Sequence, residues 1–248
     1  MFRAVVVIPV YNHDRYLPTL VDAIVRLKLP CILVDDGSEA SCAVVIDEIV
    51  NRHAESGVEL VRLASNEGKG GAVVAGIRHA AAEGFTHALQ VDADGQHTIG
   101  DAPALIEMAR ANPEALVTGQ PQFDESVPKH RLYLRYLTHY MVSINTLNFS
   151  LRDAMCGFRV YPVKSFLALE DKAPLGRRMD FDIDVLVRLD WDGVPILMKK
   201  TAVRYPMDGV SHFRLWRDNV LITSLHIRML FGMVRRSPTI LMRRWQRA

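Results

Sequence analysis

Two textures alternate along the first 120 residues of the chain. Short apolar runs, many of them β-branched, stand at 4–10, 31–34, 58–63, 87–91 and 115–117, and amphipathic stretches at 15–28, 39–54, 71–83 and 102–110 lie between them. Continuous apolar runs predict strands buried on both faces, and their alternation with helices predicts βαβ units and a mostly parallel α/β sheet. Right-handed crossovers then bring the strand C-termini to one edge, where such sheets bind ligands. The conspicuous polar residues fall there: Pro9-Val10-Tyr11-Asn12 after the first strand, Asp35-Asp36-Gly37-Ser38 after the second and Asp92-Ala93-Asp94-Gly95 after the fourth.

The second half is less regular. A long helix is expected over 131–151, a polar loop over 152–159, a helix over 182–189, and a strand over 196–204 at the sheet edge. From Leu215 the pattern turns amphipathic. Arg217, Ser224, Arg228 and Arg235 form one stripe and Trp216, Val220, Ile227, Phe231 and Val234 another, widened by Ile222, Leu225, Met229, Leu230 and Met233. A helix of 20 residues spans about 30 Å. Its aromatic residues and flanking Arg suit a membrane interface, while packing on the domain's own core or on a homodimer partner stays open. The expected organisation is one domain over residues 1–213 and a basic helical tail over 214–248.

Composition narrows the class. With 248 residues, 49% apolar and 23% charged, the chain can bury a full core, which excludes a disordered protein or a small disulfide scaffold. The net charge of +2 gives no cause to expect nucleic acid, but six Arg and no acid follow from Arg228 onward. Arg235, Arg236, Arg243, Arg244 and Arg247 would each add about 1 kcal/mol on an anionic leaflet. Three unpaired cysteines point to a reducing compartment. The first apolar run, broken by Pro9, reads as a strand rather than a signal peptide. The expected place is the cytoplasm, peripheral on the inner face of the cytoplasmic membrane.

Asp92 and Asp94 are two apart. In extended backbone both carboxylates face one side, a hard-oxygen pair suited to Mg²⁺ or Mn²⁺, with Gln96 as a further oxygen. Asp35 and Asp36 are adjacent and point oppositely, so one is expected to reach a base or ribose and the other to brace a loop. Asn66-Glu67-Gly68-Lys69-Gly70-Gly71-Ala72 opens a helix without matching a P-loop or a dinucleotide fingerprint; Lys69 is placed to meet a phosphate, or the glycines serve only a tight turn and close packing. Together these groups ask for a nucleoside diphosphate and a divalent ion, as in sugar transfer from a nucleotide-sugar.

Val7-Ile8-Pro9-Val10-Tyr11-Asn12, Leu33-Val34-Asp35-Asp36-Gly37-Ser38, Asn66-x-Gly68-Lys69-Gly70 and Asp92-Ala93-Asp94-Gly95-Gln96-His97 stand in an order and spacing that resembles family 2 glycosyltransferases of the GT-A fold. Asp153-x-x-x-Gly157-Phe158-Arg159 and Gly209-Val210-Ser211-His212 are similar to motifs of the dolichyl-phosphate mannose synthase branch. Thr118-Gly119-Gln120-Pro121 replaces that branch's Gly-Ser-Arg, and His212 its Lys. Residues 126–129, 144–147 and 211–214 resemble bacterial members associated with lipid acyltransferases and aryl-polyene-type pathways, so an acyltransferase is a candidate partner. The resemblance implies nucleoside contacts from Pro9, Tyr11, Asn12 and Asp35 or Asp36. It also implies metal and diphosphate contacts from Asp92, Asp94 and Gln96, phosphate contacts from Arg131 and Arg159, donor or acceptor phosphate near His212, and inversion at the anomeric carbon.

A phosphate acceptor attacks without a base, whereas a lipid hydroxyl needs a carboxylate in reach. Asp182 or Asp184, in Asp180-Phe181-Asp182-Ile183-Asp184, is the candidate, and a plain helix N-terminus is the competing reading. The leading expectation is an inverting, metal-dependent transfer from a UDP- or GDP-sugar to a lipid or polyprenyl phosphate. A nucleotidyltransferase and a non-catalytic nucleotide-binding module are the alternatives.

Overall fold

The computed structural model describes residues 1–122, 129–203 and 215–246; the side chains of 129–131 and 215 lie outside the description. Its elements run β1 (Ala4–Val10), α1 (Leu17–Arg26), β2 (Cys31–Asp35), α2 (Ala40–His53), β3 (Val58–Arg62), α3 (Lys69–Ala82), β4 (His87–Gln90), α4 (Ala102–Ala111) and β5 (Leu116–Gln122). Then come α5 (Lys129–Thr146), β6 (Arg159–Pro162), α6 (Val163–Glu170), α7 (Phe181–Asp192), β7 (Ile196–Ala202) and α8 (Leu215–Trp245).

The seven strands form one sheet in the order β3-β2-β1-β4-β6-β5-β7. It is parallel except at β6, which runs antiparallel to both β4 and β5. Strand order reverses between β1 and β4, so the loops leaving those two strands diverge and open a crevice above them. β1 shows why both faces must be covered. Val5 and Val7 belong to one core with Ala72, Val73, Ile77, Phe166 and Phe181, while Val6, Ile8 and Val10 belong to the other with Leu17, Ile24, Ile46 and Leu105. The helix α3 lies close on β1, for a Cβ on Gly76 would stand 2.4 Å from Val7 Cγ1.

Three expectations change. Residues 159–170, to which the pattern assigns no strand or helix, hold β6 and α6, because β6 draws its support from the distant strands β4 and β5. β5 runs on to Gln122 since β7 pairs along its whole length. The helix expected to reach Leu151 ends at Thr146, with Leu147 in the left-handed region (φ 54°).

The helix α8 has 31 residues, about 46 Å. Ile222, Leu225 and Met229 sink into the core, while Trp216, Val220, Ile227, Phe231 and Val234 stay exposed. The apolar breadth read from the sequence as one surface therefore divides: one side packs on the protein and the other faces out. Arg243 and Arg244 also depart from the expected basic membrane patch. Arg243 donates to the carbonyls of Trp191 and Asp190 (2.9 and 3.1 Å), and Arg244 to Thr146 O (2.9 Å) and the Asp190 carboxylate. They neutralise the C-terminal ends of α7 and α5, where unpaired carbonyls carry partial negative charge. Arg247 lies outside the described residues.

Candidate active site

The loops after β1 and β2 are tied to each other. Asn12 adopts a left-handed backbone (φ 52°), a conformation asparagine tolerates better than most residues. Its N–H donates to Ser38 Oγ (3.2 Å) and its Oδ1 accepts from Glu39 N–H (2.8 Å), one residue before α2. Pro9 pairs with Val34 inside the ladder, and Tyr11 stands half-buried at the strand end. Asp35 accepts from Ser38 N–H and Arg62 Nε (2.9 and 2.8 Å). Asp36 accepts from Asn66 Nδ2, Glu67 N–H and Gly68 N–H at 3.0, 2.7 and 2.9 Å, and burial raises its carboxyl above the ordinary value despite those bonds. Both carboxylates thus brace loops, where the sequence left one of them for a ligand.

The glycines of 66–72 serve the chain itself. A Cβ on Gly68 would stand 2.4 Å from Arg177 O, and one on Gly70 2.5 Å from Gly176 O. Gly70 N–H donates to Arg177 O at 2.9 Å. The backbone of 176–177 therefore occupies the N-terminus of α3, the place where a phosphate was one of two readings. Close packing accounts for the glycines.

Lys69 turns the other way, toward the end of β4. Its Nζ donates to Asp92 Oδ2 at 2.7 Å and to Asp182 Oδ2 at 2.8 Å. Burial works against its ammonium, but Asp182 and Asp92 outweigh burial and hold the group above its ordinary range. Burial likewise pushes the Asp92 carboxyl up, and Lys69 and His97 bring it below the usual value. Asp94 is raised, first by burial and then by the Asp92 charge, so the two acids feel each other. Their closeness does not come from extended backbone, as the spacing suggested. β4 ends at Gln90, and Ala93–Asp94 form a turn in which Asp94 Oδ1 accepts from Gln96 N–H (3.0 Å).

Beneath them lies a buried polar platform that sequence reasoning missed. Gln90, fully buried, donates through Nε2 to Asp92 Oδ1 (3.2 Å) and Asp182 Oδ1 (3.3 Å), and its Oε1 accepts from the Tyr161 hydroxyl (2.9 Å). The one available signal was a glutamine inside an apolar strand. Arg159 is also enclosed. It donates to Thr118 Oγ1 (3.2 Å), Asp182 O (2.5 Å) and Ala154 O (2.6 Å), so it supports the backbone of Asp182, where the resemblance implied a phosphate contact. Gly157 leaves room for Asp92, since a Cβ there would stand 2.2 Å from Oδ2. Arg135 pairs with Asp153 at 2.6 Å, and together with His139 it brings the Asp153 carboxyl down despite burial.

Of the two candidate bases, only Asp182 joins this cluster. Asp184 accepts from Gly176 N–H (2.8 Å) and Arg188 Nε (2.5 Å) and holds the 176–178 loop in place. Arg131 lies in α5 with its side chain outside the description, and His212 lies outside the described residues.

Among the described residues there is no group of three or more His, Cys, Asp or Glu side chains arranged around a metal position. The donors present are two hard carboxylates, Asp92 and Asp94, and the neighbouring Gln96. Such a partial set fits Mg²⁺ or Mn²⁺, which keep waters and take substrate phosphate oxygens as further ligands. The ammonium already bonded to Asp92 marks the spot as one that attracts positive charge.

The sequence profile described as Glycosyl transferase family 2 matches residues 5–169. A dolichyl-phosphate beta-glucosyltransferase of Dictyostelium discoideum is 25% identical over 210 residues, covering 77% of this chain and 63% of that protein, so the chain spans less than two thirds of that relative's length. An undecaprenyl-phosphate mannosyltransferase of Micrococcus luteus is 26% identical over 193 residues, 75% of this chain and 77% of the relative. Among solved structures, a mannosyltransferase from Pyrobaculum calidifontis in complex with GDP-Man and Mn²⁺ superposes with a TM-score of 0.60 at 18% identity, covering 94% of this chain and 64% of that one.

Proposed function

Because the chain belongs to glycosyl transferase family 2, we propose that it moves a sugar from a UDP- or GDP-linked donor to a polyprenyl-phosphate acceptor at a membrane surface. The observation that carries this reading is the position of Asp92 and Asp94, at the end of β4 beside the point where strand order reverses. Asp92, Asp94 and Gln96 would hold Mg²⁺ or Mn²⁺ there. When bound, the cation supplies Lewis-acid neutralisation of the charge that develops on the departing diphosphate.

The chain's own residues do the rest. The Asn12–Ser38–Glu39 ties and the two braced aspartates hold the β1 and β2 loops in fixed positions beside the crevice, so a nucleoside meets a preorganised edge. Gln90 and Gly157 fix the Asp92 carboxylate, and Arg159 fixes the backbone of Asp182. A phosphate acceptor arrives already anionic and needs no proton removed, which suits a site whose one candidate base, Asp182, is bonded to Lys69. The dolichyl-phosphate and undecaprenyl-phosphate named for the relatives support that acceptor class. A lipid hydroxyl is the second reading. It would require Asp182 to exchange Lys69 for the acceptor O–H.

The test is transfer from radiolabelled UDP-glucose and GDP-mannose to undecaprenyl phosphate, with Mn²⁺, with Mg²⁺ and with chelator. Product is expected with one donor only, lost on chelation and lowered at least about 100-fold by Asp94→Asn, with the anomer read by NMR. Full activity of Asp94→Asn in chelator would overturn the reading. Release of pyrophosphate from a sugar phosphate and a nucleoside triphosphate would replace it with a nucleotidyltransferase.

A further inference from the structure

The Lys69 side chain reaches from a locked corner of the backbone into the carboxylate cluster. The backbone around it is pinned from both sides: Asp36 takes the N–H groups of Glu67 and Gly68, and Arg177 O takes that of Gly70. Between that backbone and the ammonium lies a four-carbon stem of rotatable bonds. Its ammonium has three donors, and two of them go to Asp92 Oδ2 and Asp182 Oδ2. Asp92 itself has little freedom, being held by Gln90 and wedged against Gly157. A divalent cation and an ammonium both seek this carboxylate and repel each other there. A diphosphate removes the conflict, because its oxygens accept both charges.

Resting on the functional reading above, we propose that Lys69 is a built-in counter-ion that guards Asp92 in the empty site, yields it to the cation when a diphosphate takes the ammonium, and so makes cation and diphosphate enter together. Lys69 then has a role distinct from simple phosphate contact. It lowers the affinity of the empty site for free metal and couples the two ligands, and by linkage the coupling acts equally in both directions. Asp182 shares in it. While Asp182 offers the ammonium a second partner, leaving Asp92 costs less. Without Asp182, Lys69 concentrates on Asp92.

The experiment is calorimetric titration of the full chain with Mn²⁺, alone and with saturating UDP or GDP, for wild type, Lys69→Met, Lys69→Gln, Asp182→Asn and the Lys69→Met/Asp182→Asn double variant. Folding of each is checked by circular dichroism. Both Lys69 variants are expected to bind Mn²⁺ alone about tenfold more tightly than wild type. In them the strengthening by nucleoside diphosphate should shrink at least about fivefold. Asp182→Asn should bind Mn²⁺ more weakly than wild type, and that loss should vanish in the Lys69→Met background if it acts through the ammonium. Equal or weaker Mn²⁺ binding by both Lys69 variants overturns the proposal while leaving the metal site intact. An Asp182→Asn loss of the same size in both backgrounds also overturns it, since it would then be a through-space charge effect. No Mn²⁺ binding by any form, with or without nucleotide, removes the metal reading itself and the proposal with it.

Discussion

At the scale of single residues the site depends on what is missing as much as on what is present. Gly157 is the clearest case. The Asp92 carboxylate lies where a side chain at 157 would begin, so even one methyl displaces it. Gly157→Ala is expected to lower turnover at least about 100-fold, because a shift near 1 Å at a reacting group costs that much. Gly100, where an added Cβ meets nothing within 4 Å, is the control: Gly100→Ala should stay within about 0.5 kcal/mol of wild-type stability and keep its activity. Steady-state kinetics and thermal melts on the pair check this, and equal activities of the two variants would refute the packing argument. The same scale explains why Arg159 and Asp184 are found as braces. Both are types that bind phosphate or move protons, yet each is buried with its charged group bonded to the protein itself. Sequence shows the chemistry a residue can do, but not whether its partners leave it available.

At the scale of elements, α8 shows how a helix with a proline inside it stays whole. Pro238 has no N–H for the carbonyl four residues earlier, Val234 O, and the Ser237 hydroxyl donates to that carbonyl instead (2.9 Å). The inner side of the helix carries His226, whose Nδ1 accepts from Asn145 Nδ2 (3.1 Å) on α5 while Nε2 is buried without a partner. Burial lowers this imidazole to about 4, from an ordinary value near 6.5. Between those two values the unfolded chain binds a proton that the folded one refuses, so His226 lowers stability as pH falls through that window. The loss reaches roughly 3 kcal/mol at its foot. Urea midpoints of wild type and His226→Gln at pH 7.5, 5.5 and 4.5 should converge toward low pH, or cross. Parallel pH profiles would mean the imidazole takes its proton freely in the folded state.

At the scale of the molecule, α5 and α8 pack on each other and each leaves an apolar side outward: Tyr133, Tyr136, Leu137 and Tyr140 on one, Trp216, Val220, Phe231 and Val234 on the other. Trp216 is 88% exposed and Phe231 69%. Among the described residues no helix is long and apolar enough to cross a membrane. Exposed Arg217, Arg228 and Arg235 run along one edge of the α8 face, an arrangement that suits the anionic bilayer expected from the sequence, while Arg236 turns inward and stands over the Trp191 ring at 4.8 Å. Because the inner side of α8 belongs to the core, removing the whole helix would confuse folding with binding. Trp216→Glu/Phe231→Glu is the sharper test. Pelleting with phosphatidylglycerol vesicles should fall at least about tenfold with the melting temperature unchanged. Undiminished pelleting would assign the face to something other than lipid.

The first four strands and helices were legible because β1, β2 and β4 are buried on both faces and announce themselves as local apolar runs, and β3, at the sheet edge with Glu59 and Arg62 exposed, still keeps Val58, Leu60 and Val61. The acids at their ends were legible for the same reason: polarity after such a run marks the sheet edge. β6 was not legible. Arg159-Val160-Tyr161-Pro162 has no alternation or run of its own, and only pairing with β4 and β5 makes it a strand. By itself the sequence determined the fold class and the placing of the acid pairs at the strand ends, both of which rest on patterns within a few residues. The tertiary structure alone decided that Lys69 bridges Asp92 and Asp182, that Asp184 and Arg159 serve as braces, and which side of α8 is buried. Those outcomes depend on contacts between residues as far as 113 positions apart, and local periodicity carries no information about them.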